Sequence, residues 1–381
     1  MPEKSILFTS QKLGNLKIIN RVVRSATWMG RAKRNGEMTY NLISVYEKLA
    51  KNNIGLIITG FMFVSKKGKA APHQAGIHED FLIPGLKNLV SRVKEYDEAK
   101  IFAQIAHGGK QLLAFNPKNF TPLAPSAIKD KLSGIMPKKM SIKEIKEVIN
   151  DFIQGARRSY ESGFDGVQLH IAHGYLLSEF ISPYCNKRND EYGGSVENRF
   201  RIIKDIIIGI QDELGKDYPI AAKLNVADFV KEEPQLTIEE SKKYAKKMAD
   251  LGIAAIETSG GLFESAKYGN QTASRVKIKE IEDEAYFFPE ARIIKNEIGD
   301  IPVILVGGIR SREMAEKVLN EGMDFIAISR PFIREPDLLM KWKNSAKKSD
   351  CISCNRCLFS SGQVICHPLK KLERKKKREK K

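Results

Sequence analysis

No stretch of the 381 residues stays apolar for the roughly 20 positions that a bilayer span needs. The N-terminus, MPEKSILFTSQKLG, lacks the charged-then-apolar layout of a signal peptide. Both absences point to a cytoplasmic protein with no membrane partner. No GxGxxG follows an early strand-like run, which argues against a dinucleotide-binding doubly wound sheet. Cysteine is scarce, with four of the five between 351 and 366, and in a cytosolic setting that favours metal or redox use over structural disulfides.

Acidic residues are also short, 46 against 64 Lys and Arg, for a net charge of +18. Its location decides what this means. Residues 370–381 (KKLERKKKREKK) carry nine Lys/Arg and two Glu, a low-complexity tail expected to be frayed or disordered. The remaining basic residues are mixed with acids, as on solvated helix faces, and no aromatics interleave the basic run. Specific nucleic-acid binding is therefore not expected.

What is present reads as an alternation. Eight strand-like runs fall at 21–27, 55–64, 100–107, 166–170, 220–226, 254–259, 303–307 and 325–329. Helical patterns lie at 39–52, 82–97, 141–162, 196–214, 237–251, 286–298, 311–321 and 336–346. Ser141 with Glu144, and Thr237 with Glu240, have capping-box spacing, and Gly163, Gly215, Gly252 and Gly322 stand where left-handed C-caps are needed. Before the first run, Gly14-Asn15 marks a turn in a hairpin that could close the bottom of a barrel. Eight β–α repeats of parallel type predict a TIM (β/α)8 barrel over 1–346, a Cys-rich appendix over 347–369 and the basic tail over 370–381. The long connections at 65–81, 108–140 and 260–284 would lie at the C-terminal mouth, where ligands bind.

The densest chemistry is in 166–201, GVQLHIAHGYLLSEFISPYCNKRNDEYGGSVENRFR. His170 and His173 would point to opposite faces of a continuing strand, so they converge only if the chain leaves the strand near Ala172-His173-Gly174. Two imidazoles and the phenol of Tyr175 at a strand's mouth suit a polar substrate oxygen and a proton transfer. Lys223 is the only charge in the strand IAAKLNV and needs an anionic partner, either a ligand or a barrel carboxylate. Cys351, Cys354, Cys357 and Cys366 (C-x2-C-x2-C-x8-C) could serve zinc, a [4Fe–4S] cluster or no metal.

The stretch HIAHGYLLSEFISPYCNKRNDEYGGSVENRFR resembles the fourth βα unit of the Old Yellow Enzyme family, the FMN-dependent ene-reductases. QIAHGGKQ around Gln104 and VGGIRS…DFIAISRPFIREPDL are similar to further segments of that family. The resemblance implies FMN held without a covalent link and NAD(P)H as reductant. By it, Ser25, Ala26 and Thr27 lie against the flavin, although Trp28 stands where relatives often carry Cys or Thr. Gly60 admits backbone close to the ring, the Gln104 amide meets the pyrimidine edge, and Lys223 faces the N1–C2=O edge. Gly307, Gly308, Ser329 and Arg330 form the phosphate site.

The same resemblance casts His170 and His173 as carbonyl ligands for an enone or enal, and Tyr175 as the donor of a proton to its α-carbon. His107 is expected to be structural. The Cys cluster is similar to that of 2,4-dienoyl-CoA reductase, although the spacing there is usually wider, and an iron–sulfur cluster here would need an external electron donor. Two other readings stay open: the barrel subunit of such an iron–sulfur flavoprotein, and a non-enzymatic flavin-binding protein whose tail docks on an anionic surface. Assembly into a homo-oligomer is also left open.

Overall fold

The computed structural model describes residues 5–96, 98–111, 120–268, 272–358 and 362–379. Eight parallel strands close on themselves: Val22–Arg24, Leu56–Ile58, Lys100–Ala106, Gly166–Ile171, Ile220–Asn225, Ala255–Ser259, Val303–Val306 and Phe325–Ile328. Pairing of the last with the first, and of Leu56–Ile58 with Lys100–Ala106, completes the ring. The run expected over 55–64 is interrupted: Met62–Phe63 is a separate short strand, and the chain turns at Gly60. Among the described residues no helix is long and apolar enough to cross a membrane.

The helices lie where the 3.6-residue periodicity puts them, and local chemistry fixes their ends. Ile142–Glu161 starts with a complete capping box, the Ser141 hydroxyl accepting from Glu144 N while the Glu144 carboxylate accepts from Ser141 N. Val196–Leu214 starts on Ser195 and stops at Gly215, whose φ of 82° is open to glycine without strain. The box expected at Thr237 does not form. Helix Ile238–Asp250 has no side-chain cap, because Glu240 is drawn instead to Arg199 at 2.5 Å. Two short helices, Leu176–Ile181 and Arg330–Arg334, follow the fourth and eighth strands and have no periodicity long enough to be read from sequence.

Alternation along the strands sorts side chains into two cores. Val167, Leu169, Ile171, Ala222, Leu224 and Ile256 point outward and pack with the helices. Inward, Val23, Phe102, Ala221, Ala255, Ile304 and Phe325 fill the lower barrel. The hairpin Gln11–Leu13 and Leu16–Ile18, turning through Gly14 at φ 57°, seats Leu13 and Ile18 against them from below. Two residues further along the strands the inward positions become Ser25, Gln104, Gln168, Lys223 and Glu257, all buried. An apolar floor thus carries a polar layer.

The C-terminus adds to the barrel and departs from expectation at one point. The Cys-rich segment is part of the same body, since buried Cys357 and Val364 join the outer core and Val364 N donates to Met29 O at 3.0 Å. The basic run, expected to be disordered, is a helix over His367–Glu379. Lys, Arg, Leu and Glu are strong helix formers, and Lys375 faces Glu379 one turn on. It buries none of its residues. Deleting 370–381 should therefore shift the melting temperature by no more than about 2 °C, because surface changes cost roughly 0.5 kcal/mol or less. A larger fall in a calorimetric comparison would mean that the helix is part of the packed body.

Candidate active site

The chain leaves the fourth strand where the two imidazoles require it. His173 and Gly174 both take positive φ, 65° and 79°. The left-handed pair brings the His170 and His173 rings to 5.2 Å, edge to face, and the Tyr175 ring to 4.7 Å from His170. His173 Nε2 and Ser259 Oγ, 2.7 Å apart, share a hydrogen bond that orients the ring. His170 Nδ1 is buried with no partner among the described residues. Burial pushes both imidazoles down, His173 to about 3 and His170 well below its usual value, so both are neutral near pH 7. Burial pushes the Tyr175 phenol up, so it stays protonated. The arrangement offers two neutral nitrogens for a polar oxygen and one retained proton beside them.

Of the walls, the sequence singles out Trp28 alone, by its place beside the expected flavin segment. Phe61, just past the second strand, packs 5.0 Å from Tyr175 and 6.1 Å from His170. Phe263, from the connection after the sixth strand, meets Tyr175 edge-on at 6.0 Å. Trp28 packs on the same cluster with its indole Nε1 unpartnered. An isolated aromatic in a loop carries no periodic signal, so only the closed ring reveals these three as one wall.

Below them lies the polar layer. Lys223 Nζ pairs with Glu257 Oε1 at 2.8 Å and donates to Ser25 Oγ at 2.9 Å. Of the two partners the sequence allows for Lys223, the barrel carboxylate is present; it is Glu257, which no local pattern marks. Gln104 Nε2 donates to Gln168 Oε1 at 2.7 Å, and Gln168 Nε2 to Glu257 Oε2 at 2.8 Å. At the rim, Thr27 Oγ1 and Ser329 Oγ stand 2.8 Å apart, joining the first and eighth strands, while Ala26 packs on the inner core. A Cβ on Gly60 would stand 2.5 Å from Thr27 O, which only glycine avoids. Gly307 and Gly308 take φ of 141° and 75°, and a Cβ on Gly308 would meet the Tyr286 ring at 2.8 Å.

Arg330 Nη1 donates to Arg275 O at 2.7 Å and to Asn355 Oδ1 at 2.5 Å, which ties the appendix to the barrel and leaves Nη2 and Nε for the expected phosphate contact. The zinc expectation changes: among the described residues no group of three or more His, Cys, Asp or Glu could hold a metal ion. Cys351, Cys354, Cys357 and Cys366 surround a small pocket without converging on one point, and Arg334 Nη1 lies 3.7 Å from Cys366 Sγ.

Much of the long central motif is scaffold. Asn186 Nδ2 donates to Phe180 O and Tyr192 O, and Arg188 donates to Pro125 O and Met140 O while pairing with Asp190 at 2.6 Å. Buried Glu179 accepts from Lys110 N at 2.9 Å. A cavity of about 390 Å³ at the opposite end of the barrel, lined by Lys12, Gln211 and Asp324 among others, collects none of these groups. Residues 112–119 and 269–271, in two of the long mouth connections, lie outside the described residues.

His107, expected to be structural, lies deep in the scaffold. It is 1% exposed, its Nδ1 accepts from Gly109 N at 3.1 Å, and burial pushes its pKa to about 3. Below about pH 6.5 the unfolded chain binds a proton here that the folded chain refuses until about pH 3. The associated stability is thus present above 6.5 and lost as pH falls, by about 1.4 kcal/mol per pH unit. His107→Gln should lose less melting temperature than the parent between pH 7 and pH 5; equal losses in paired thermal scans would contradict the assignment.

Comparison with known proteins gives the same frame. The family model of the NADH:flavin oxidoreductase / NADH oxidase family matches residues 6–349. An NADH oxidase of Thermoanaerobacter brockii is 36% identical over 353 residues, 92% of this chain and 52% of that protein. A solved 2-naphthoyl-CoA reductase complex superposes with TM-score 0.87 at 26% identity, over 96% of this chain and 56% of the other. The Old Yellow Enzyme homologue of Zymomonas mobilis superposes with TM-score 0.74 at 28% identity, over 91% and 95%. The chain spans about half the length of the first two of these relatives. With the barrel closed, the paired imidazoles beside their tyrosine and the family model matched across nearly all of the barrel, the chain belongs to the NADH:flavin oxidoreductase family, the Old Yellow Enzyme family.

Proposed function

We propose that this barrel is an FMN-dependent ene-reductase that takes hydride from NAD(P)H and reduces an electron-poor alkene of the enone or enal type. The carrying observation is the meeting of His170, His173 and Tyr175 over a polar layer, with both imidazoles held neutral. The residues present fit FMN. Gly60 clears a path for backbone against a flat ring, and Ser25, Gln104 and Lys223 offer a mixed donor and acceptor surface. Gly307, Gly308, Ser329 and Arg330 remain the residues for its phosphate, with Arg330 steadied through Nη1 by Asn355 of the appendix. When bound, FMN would supply the hydride chemistry.

The side chains supply the rest. His170 and His173 would grip the carbonyl oxygen and stabilise the charge that develops there as the β-carbon is reduced. Neutral imidazoles do this by hydrogen bonding, so the grip does not depend on pH near neutrality. Tyr175, kept protonated by burial, would deliver a proton to the α-carbon. Phe61, Phe263 and Trp28 would exclude water from that transfer and favour flat substrates.

Anaerobic titration with NADH or NADPH followed by cyclohexenone tests this. Tyr175→Phe should leave the reduction of the flavin intact and slow enone turnover by about 10²- to 10⁴-fold. His170→Ala should weaken binding of para-substituted phenols, read by their charge-transfer band. A Tyr175→Phe protein that cannot be reduced by either nucleotide would refute the division of roles.

One observation favours a second reading, the barrel portion of an iron–sulfur flavoprotein fed by an external donor. Four thiols surround one pocket beside Arg330 and Arg334. A [4Fe–4S] cluster needs such a ring, because its own sulfides fill the centre, whereas a single ion needs convergence. Anaerobically purified protein should then be brown and contain about four iron and four labile sulfide per chain. Iron-free protein with unchanged enone turnover would remove this reading.

A further inference from the structure

The polar layer contains a carboxylate to which the family resemblance gave no role. Glu257 is 0% exposed and lies opposite Lys223 in the pairing of the fifth and sixth strands. Its Oε1 accepts from Lys223 Nζ at 2.8 Å and from Ser25 Oγ at 2.5 Å. Its Oε2 accepts from Gln168 Nε2 at 2.8 Å. We infer that Glu257 is a positioning residue for the flavin, fixing through Lys223, Gln168 and Gln104 both the charge and the donor–acceptor polarity of the surface beneath the pyrimidine edge. This rests on the FMN-binding reading given above.

The polarity argument runs along the amides. An ionised carboxylate only accepts hydrogen bonds, so Gln168 must turn its NH2 toward Glu257 and its carbonyl toward Gln104. Gln104 then spends one N–H on that carbonyl, at 2.7 Å. Its own Oε1 takes no hydrogen bond from the described residues and, with the second N–H, is left for a ligand. A ring edge alternating N–H and C=O matches that pair in one orientation only. The four side chains come from the third, fourth, fifth and sixth strands, and cross-strand register places Gln104 beside Gln168 and Lys223 beside Glu257.

The charge argument concerns the ammonium. Lys223 alone would be an unopposed buried cation, strongly favouring the negative charge that reduction places at the N1–C2=O edge. Glu257 at 2.8 Å cancels much of that field. The carboxylate therefore holds the potential of bound FMN below what Lys223 would set by itself. Loss of the carboxylate and loss of the ammonium should shift the potential in opposite directions. A residue that merely filled space would not produce that pattern.

The test uses the full chain loaded with FMN and measures the midpoint potential by equilibration with a reference dye. Glu257→Gln should tighten binding of reduced over oxidised FMN about tenfold or more, a rise of about 30 mV for a two-electron couple. Lys223→Met should shift it down, and Glu257→Asp should restore most of the parent value. If Glu257→Gln folds but no longer retains FMN while Glu257→Asp does, the amide polarity has been lost and the inference stands. No shift in Glu257→Gln, shifts of one sign in both the Glu257→Gln and Lys223→Met proteins, or Glu257→Asp behaving like Glu257→Gln would overturn it. Failure of the unaltered chain to bind FMN would instead bring down the flavin reading itself, a distinct result.

Discussion

Inside the barrel an ammonium and a carboxylate stand 2.8 Å apart with almost no access to water, and much of the mouth is arranged around them. Taking two such charges out of solvent is costly, and breaking a pair of this kind by removing one partner typically costs about 3–5 kcal/mol. The pair persists because its remaining hydrogen-bonding positions are occupied by Ser25 and Gln168. Those partners come from different strands, so the ring must close in the right register for the layer to be satisfied. The apolar floor below gives no alternative partner.

The layer also explains why the paired imidazoles can sit where they do. His170 is one inward step above Gln168 on the same strand and pairs in register with Lys223 on the next. Deep burial, and after it the neighbouring His173 and Lys223, oppose protonation of the imidazole. The layer thus adds to what burial does in keeping His170 neutral, and the turn at His173 and Gly174 sets the second ring against the first. Scaffold and chemistry share residues here.

The sequence shows much of this and hides the rest for identifiable reasons. Strand and helix positions follow from periodicity, and Gly163, Gly215, Gly252 and Gly322 all take the positive φ that their places implied. His170, His173 and Tyr175 were legible because one short segment carries all three. Glu257 was not, since its partner lies 34 residues earlier and only pairing of adjacent strands reveals it. Glu240 misled for the converse reason: a long-range guanidinium outbid a local cap. The tie from Arg330 to Arg275 O and Asn355 Oδ1 is hidden for the same reason as Glu257, since both partners lie far away in sequence.

The hairpin that seats Leu13 and Ile18 in the floor has a kinetic meaning. A barrel stoppered at one end has a single doorway, and the two imidazoles stand at that doorway. Molecules cannot pass through from opposite sides; in the proposed reaction, nicotinamide nucleotide and alkene would each use the same threshold and vacate it for the other. Turnover would then be an alternation of visits, with each reactant a competitor of its successor, so that an excess of either one would throttle the cycle that it feeds.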